Sequence, residues 1–200
     1  MPLSFGVTFD YRCPFARNAH EHLVAALKAG ADWDVQFLPF SLTQNKVEEG
    51  EASVWAEPEK DSGLLALQLG VAVRDTQPDR FLDAHLALFA IRHDLGKSQR
   101  DEDLLRTTLA EVGIDVDAAF AEVATGVPLK TIEDEHERGV AEHSVWGVPT
   151  FIVDDHAAFV RVMDRPRDEL HDSAKVVERI VGLLSGWPEL NEFKHTSLSR

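Results

Sequence analysis

The chain has 200 residues, 44% of them apolar, with 35 acidic against 20 basic side chains and a formal net charge of −15. That length and composition suit one globular domain with a sizeable core, and the acidic surface disfavours binding to nucleic-acid phosphates or to anionic membrane faces. No apolar run approaches the ~18 residues of a membrane span, Met1 to Asp10 lacks the basic leader of a secretory signal, and one cysteine in the whole sequence fits a reducing compartment, so a cytoplasmic protein is expected.

Leu3–Phe9 (Leu-Ser-Phe-Gly-Val-Thr-Phe) reads as a buried strand, Ala19–Leu27 as an amphipathic helix and Trp33–Phe40 as a second strand ended by Pro39. This β-α-β start predicts a right-handed crossover. Gln44–Gly63 is polar, with charge runs, and is expected to be a mobile, solvated loop. Leu64–Val73 reads as a short apolar helix. Pro78–Leu95 is a better one, with Phe81, Leu82, Leu86, Phe89 and Ile91 near helical spacing and Gly96 as its stop. Asp101–Val112, ended by Gly113, then Asp115–Ala124 and Pro128–His143 complete a helical subdomain over residues 64–143, between the second and third strands. Thr150–Val153 resumes as a strand, Asp154-Asp155-His156 turns, and Ala157–Val162 is the expected hairpin partner. Arg167–Ser185 reads as the last helix, with Leu170, Ala174, Val177, Ile180, Val181 and Leu184 on one face, stopped by Gly186-Trp187-Pro188. The tail, Leu190–Arg200, is expected to fray.

Cys13, the single cysteine, falls between the first strand and the first helix, where open α/β sheets place ligands and reactive groups. Pro14 suits the first helical position. The first-turn amides and the positive charge of Arg12 and Arg17 are expected to favour the thiolate, with Arg12 as its stabilising side chain. Inert core filling is the competing account of a lone buried thiol. Asp10 either modulates the thiol or caps the turn. The nine histidines give a weak metal signal, since His136 and His143 alone share a helix face and His20 and His22 diverge; no metal is expected. No nucleotide-binding glycine loop and no nucleophile elbow occur.

Cys13-Pro14-Phe15-Ala16 behind its strand, and Trp146-Gly147-Val148-Pro149-Thr150-Phe151-Ile152-Val153 later in the chain, together resemble the DsbA-like branch of the thioredoxin superfamily. The resemblance implies a thioredoxin-like α/β fold with a helical subdomain inserted between the second and third strands: core residues 1–43 and 144–186, insertion 64–143. It implies that Cys13 and Pro149 are the catalytic residues, with Val148–Pro149 cis, and that Pro14, Phe15, Ala16, Trp146, Val148 and Thr150 line a groove where an extended substrate pairs with the Val148 backbone. Trp55 and Phe40 are expected near that groove, with core packing at least as good an account of Phe40 and Trp146. The family commonly carries a second cysteine where this chain has Ala16, so an intramolecular dithiol cycle is excluded and one-thiol chemistry, resolved by a low-molecular-weight thiol, remains.

Two branches of that family are similar. Met163-Asp164-Arg165 resembles the end of a Gly-x-Asp-Arg element with which kappa-class glutathione transferases and their isomerase relatives hold glutathione, without its glycine, which makes Asp164 and Arg165 candidate thiol-binding residues. Arg165-Pro166-Arg167 and the tail Asn191-Glu192-Phe193-Lys194-His195-Thr196 resemble mycothiol-linked DsbA-like reductases. The expected function is a cytoplasmic thiol-disulfide oxidoreductase with Cys13 as nucleophile, no tightly bound cofactor, and mycothiol or glutathione as co-substrate. Its partners would be that thiol and a disulfide or electrophilic substrate, with a homodimer left open. The alternatives are a thiol S-transferase or isomerase that activates a bound small thiol, and a catalytically degenerate binding protein.

Overall fold

A four-stranded sheet in the order β2 (Trp33–Pro39), β1 (Leu3–Phe9), β3 (Thr150–Val153), β4 (His156–Phe159) carries the molecule. The computed structural model describes residues 2–167, 170–187, 189–192 and 194–195, with the side chains of 170–172 outside that set. Strand β1 (Leu3–Phe9) lies inside the sheet, parallel to β2 (Trp33–Pro39) from Leu3↔Trp33 to Phe9↔Pro39 and antiparallel to β3 (Thr150–Val153) at Gly6↔Ile152 and Val7↔Phe151. Paired on both edges, it is buried on both faces from Phe5 to Phe9, which is why its sequence is nearly continuous in apolar residues. Gly6 permits the close approach: a Cβ there would lie 3.0 Å from Leu38 Cδ1 and 3.6 Å from Ile152 Cβ. Strand β4 (His156–Phe159) pairs antiparallel with β3.

Helix α1 (Pro14–Lys28) returns the chain from β1 to β2, and its buried face, including Ala16, Ala19, Leu23, Val24 and Ala26, packs against α7 (Leu170–Gly186) and α3 (Phe81–His93). Helix α7 also rests on β3 and β4. Between β2 and β3 come α2 (Leu64–Thr76), α3, α4 (Glu102–Glu111), α5 (Val116–Ala124) and α6 (Val127–His143). Helix α2 is apolar nearly all round, and it is correspondingly the buried centre of this unit, touching α3, α5 and α6. Arg74 ties the unit to the sheet by donating to the Phe37 carbonyl at 2.8 Å while its guanidinium pairs with Glu135 of α6. This is a thioredoxin-like α/β fold with a helical subdomain inserted between β2 and β3, as the motifs implied.

Four expectations need correction or reframing. Residues 44–63 keep most of their charge runs exposed, Glu48, Glu49, Glu51, Glu59 and Lys60 among them, but the segment is anchored: Val54 is buried, the Val54 amide donates to Gln44 Oε1 at 2.9 Å, and Asp61, expected to be solvated with the rest, is buried on Ser41 and Arg12. The helix expected from Pro78 begins as a 3-10 turn, Pro78–Arg80, before α3. The hairpin strand stops at Phe159 instead of Val162, because Asn18 Nδ2 donates to the carbonyls of Val162 and Met163, both at 3.0 Å, and draws that segment onto α1. The last helix, expected from Arg167, does not include that residue; Asp168 and Glu169, Pro188 of the expected stop, and the tail positions Phe193 and 196–200 lie outside the described residues.

A hydrogen-bonded chain runs through the core beneath the β1–α1 turn. The fully buried His20 and His85 link to one another (Nδ1 to Nε2, 2.8 Å), His85 Nδ1 lies 2.9 Å from the Tyr11 hydroxyl, and His20 Nε2 lies 3.2 Å from the Thr8 carbonyl. That carbonyl can only accept, so His20 carries its proton on Nε2. By the same logic His85 donates from Nε2, and the Tyr11 hydroxyl donates to His85 Nδ1. Both imidazoles are neutral, since burial pushes His20 down to about 3 and holds His85 well below the ordinary histidine value. The unfolded chain, however, takes up protons as pH falls through about 6.5. Stability is therefore lost on acidification from about 6.5 towards 3, by about 2 kcal/mol per histidine between pH 7 and 5. Urea unfolding at the two pH values is expected to show this slope, and His85→Gln should remove about 2 kcal/mol of the difference; an unchanged difference would refute the neutral pair.

Candidate active site

The site grows from the end of β1. Strand β1 ends at Phe9, Asp10–Arg12 turn the chain, and Cys13 takes extended backbone angles (φ −89°, ψ 119°) as the N-cap of α1, with Pro14 in the first turn. Its amide donates to the Asp10 carbonyl at 3.0 Å. The sulfur accepts the Ala16 amide at 3.5 Å, one of the donors a helix start leaves unpaired, and its S–H faces the Val148 carbonyl at 3.2 Å. Cys13 is 7% exposed, Pro14 is exposed, Phe15 is half-buried and Ala16 is buried.

The opposite wall is the loop before β3. The Val148–Pro149 bond is cis. Thr150 is buried: its hydroxyl donates to the Gly147 carbonyl at 2.7 Å and its amide donates to Thr8 Oγ1 at 2.8 Å, which pins this loop to β1. Trp146 is 60% exposed, its ring packed on Phe159 at 4.5 Å, and its carbonyl accepts Asn45 Nδ2 at 2.8 Å. Phe40, by contrast, is core, its ring centre 4.1 Å from that of His136 and tilted 30° to it, and Trp55 packs edge-on to the same imidazole at 5.5 Å. Cys13, Val148 and Thr150 are thus brought together, with Trp146 on the rim.

Arg12 is not the group that stabilises the thiolate. Its guanidinium is held by Asp10, Asp61 and Thr43 Oγ1, the Asp10 carboxylate also accepting the amides of Arg12 and Leu42, both at 2.9 Å. A cation neutralised by two buried carboxylates has little field left for the sulfur. Arg17 is likewise engaged by Asp94 and Glu21. Nor is the thiol shifted downward. Burial pushes Cys13 above the ordinary thiol value, the Ala16 and Phe15 amides pull against it, Asp10 adds to the rise, and the cation that lowers it is Arg161. Asp10 therefore both builds the turn and opposes ionisation.

Asp164 and Arg165 face another way. Arg165 pairs with Glu21 of α1 and with Asp94 just beyond α3, and the Asp164 carbonyl accepts His22 Nε2 at 3.2 Å. These contacts tie the segment after β4 to the flank of α1. Sequence reasoning missed Arg161 and Phe159, which owe their places to the β3–β4 register, and Asp61, hidden in a charged run. Among the described residues no group of three His, Cys, Asp or Glu side chains converges as a metal site, and no helix is long and apolar enough to cross a membrane.

A single sulfur, set on a helix N-cap against a Val-Pro carbonyl and carried by this sheet, defines a one-cysteine protein of the thioredoxin-fold oxidoreductase type. The chain belongs to the DSBA-like thioredoxin domain family, whose model it matches over residues 7–172. Among solved structures it is similar to 2-hydroxychromene-2-carboxylate isomerase (TM-score 0.62, 12% identity, 95% of this chain and 100% of that one). It is also similar to the cytosolic disulfide reductase DsbM from Pseudomonas aeruginosa, whose structure contains GSH (TM-score 0.61, 15% identity, 90% and 99%), and to reduced DsbA1 from Neisseria meningitidis (TM-score 0.57, 14% identity, 92% and 84%). At such identities the likeness is one of fold. No curated protein matches the sequence.

Proposed function

We propose that the chain is a cytoplasmic thiol-disulfide oxidoreductase that works with one sulfur. The observation that carries this reading is the placement of Cys13, whose sulfur lies between the Ala16 amide and the Val148 carbonyl with no second cysteine anywhere in the sequence. The Val148 carbonyl cannot take the thiol proton, which leaves to solvent as pH rises. The Cys13 thiolate then attacks a disulfide RS–SR: the Cys13–SR bond forms, the RS–SR bond breaks, and RS⁻ departs with the electron pair and takes up a proton. A low-molecular-weight thiol of the glutathione or mycothiol kind attacks the adduct, restores Cys13 and leaves as the mixed disulfide with R, so the electrons come from that thiol. The GSH in the structure of the similar cytosolic reductase supports the class of co-substrate. The lone cysteine supports the compartment.

The test is intact mass after exposure to the disulfides of glutathione and mycothiol between about pH 6 and 10. Because burial holds the thiol up, the rate of single-adduct formation is expected to climb through a midpoint above the free-thiol value of about 8.5, with reversal by the matching thiol. No adduct at any pH would overturn the reading.

The same raised thiol favours a second reading, suggested also by the isomerase-like fold. A Cys13 that stays protonated can donate its S–H to the sulfur of a bound small thiol, favouring that thiolate for attack on an electrophile. Activity would then require an electrophile and a thiol, without net oxidation.

A further inference from the structure

Arg161 differs from the arginines near it. Arg12, Arg17 and Arg165, the other arginines around the β1–α1 turn and the flank of α1, are all held by carboxylates. Arg161 is exposed and has no carboxylate partner among the described residues, in a chain that carries 35 acidic side chains. Its place is fixed by backbone. Phe159 pairs with Thr150, and the Val160 amide donates to the Pro149 carbonyl at 3.0 Å, so Arg161 leaves the sheet beside the wall that faces Cys13. Its guanidinium carbon sits 5.5 Å from the ring centre of Phe15 and 5.6 Å from that of Phe159, both within cation–π range. Phe159 in turn carries the exposed Trp146. A guanidinium resting on two rings is pre-set in position while its N–H donors remain free for a planar anion.

We propose that Arg161 is a specificity residue that takes the carboxylate of an anionic disulfide or thiol, with Phe15, Phe159 and Trp146 as the apolar rim against its body, while Cys13 exchanges with its sulfur. The proposal rests on the exchange reading of Cys13 and sharpens it. Of the two co-substrate kinds, it selects a carboxylate-bearing peptide thiol of the glutathione kind over an uncharged sugar thiol of the mycothiol kind. No new covalent step is added: the Cys13 thiolate still forms one S–S bond as RS⁻ leaves. The acidic surface gives the residue its purpose, because an anionic substrate approaching a protein of this net charge is repelled except where a free cation lies.

The test uses two aryl disulfides of similar shape, dithiobis(nitrobenzoate), which carries a carboxylate on each ring, and uncharged dithiodipyridine. Second-order rates of Cys13 modification are read from the released thiol for the full chain and for Arg161→Gln and Arg161→Lys at low ionic strength. Arg161→Gln is expected to slow the anionic reagent about tenfold relative to the uncharged one, with Arg161→Lys intermediate, and added salt should erase most of the advantage. Loss of the charge also makes the thiol harder to ionise, but this slows both reagents alike and cancels in the ratio. An unchanged ratio in Arg161→Gln, with both reagents still reacting, overturns the role of Arg161 and leaves the exchange reading intact. Failure of both reagents on the unaltered chain overturns the exchange reading and this proposal with it.

Discussion

Replacing Cys13 by serine is expected to abolish mixed-disulfide formation completely while leaving the fold in place. Serine is a better helix N-cap than cysteine, and its Oγ can accept the Ala16 amide that the sulfur now accepts. The helix start therefore survives, and stability should change by less than about 1 kcal/mol. The chemistry does not survive, since a neutral hydroxyl does not exchange with disulfides. Intact mass after incubation with glutathione disulfide at alkaline pH should show the full adduct on the unaltered chain and none on Cys13→Ser. The same variant separates the two catalytic readings, because a serine hydroxyl can still donate a hydrogen bond to a bound thiolate. Electrophile-dependent activity retained in Cys13→Ser would move the assignment to the transferase or isomerase reading.

The second large effect concerns stability. Asp10 is 2% exposed and its carboxylate accepts the Arg12 guanidinium, the Arg12 amide and the Leu42 amide. Asp10→Ala removes four accepted hydrogen bonds at once, two from the guanidinium and two from backbone amides, and leaves a largely buried guanidinium on Asp61 and Thr43 Oγ1, so a loss of about 3–5 kcal/mol is expected in urea unfolding. The cost is large because the backbone amides that shape the turn lose their partner together with the charge. Asp10→Asn keeps an acceptor and should lose less. Removing the carboxylate charge also lifts one of the influences that hold the thiol up, so in Asp10→Asn the pH–rate midpoint of Cys13 should move down. A stability loss below about 1 kcal/mol for Asp10→Ala would mean that water replaces the carboxylate in that turn.

What the sequence disclosed was local. The Leu3–Phe9 run, Cys13 followed by Pro14, and Gly147-Val148-Pro149-Thr150 carry their structure in adjacent residues, and the fold sets the Cys13 sulfur against the Val148 carbonyl. What it concealed depended on orientation. Arg12 precedes the thiol in the chain, but its side chain turns to Asp61, 49 positions on. Asp61 sits in a charge run that reads as solvated, and only the fold shows that this one carboxylate is buried with Ser41. His20 and His85 sit on two different helices 65 positions apart, and nothing local announces that they share a proton chain. Arg161 reaches the site because Asn18 captures two carbonyls after β4 and a register fixes Phe159.

Ala16 has a consequence for mass action. A protein with two adjacent cysteines closes its own disulfide and releases two molecules of small thiol for each disulfide consumed, so its oxidised fraction depends on the square of the free thiol concentration. With alanine buried at that position, Cys13 can form only a mixed disulfide, which releases one. Its occupancy under thiol exchange then follows the simple ratio of small-molecule disulfide to small-molecule thiol. Diluting or concentrating the whole pool leaves that occupancy unchanged.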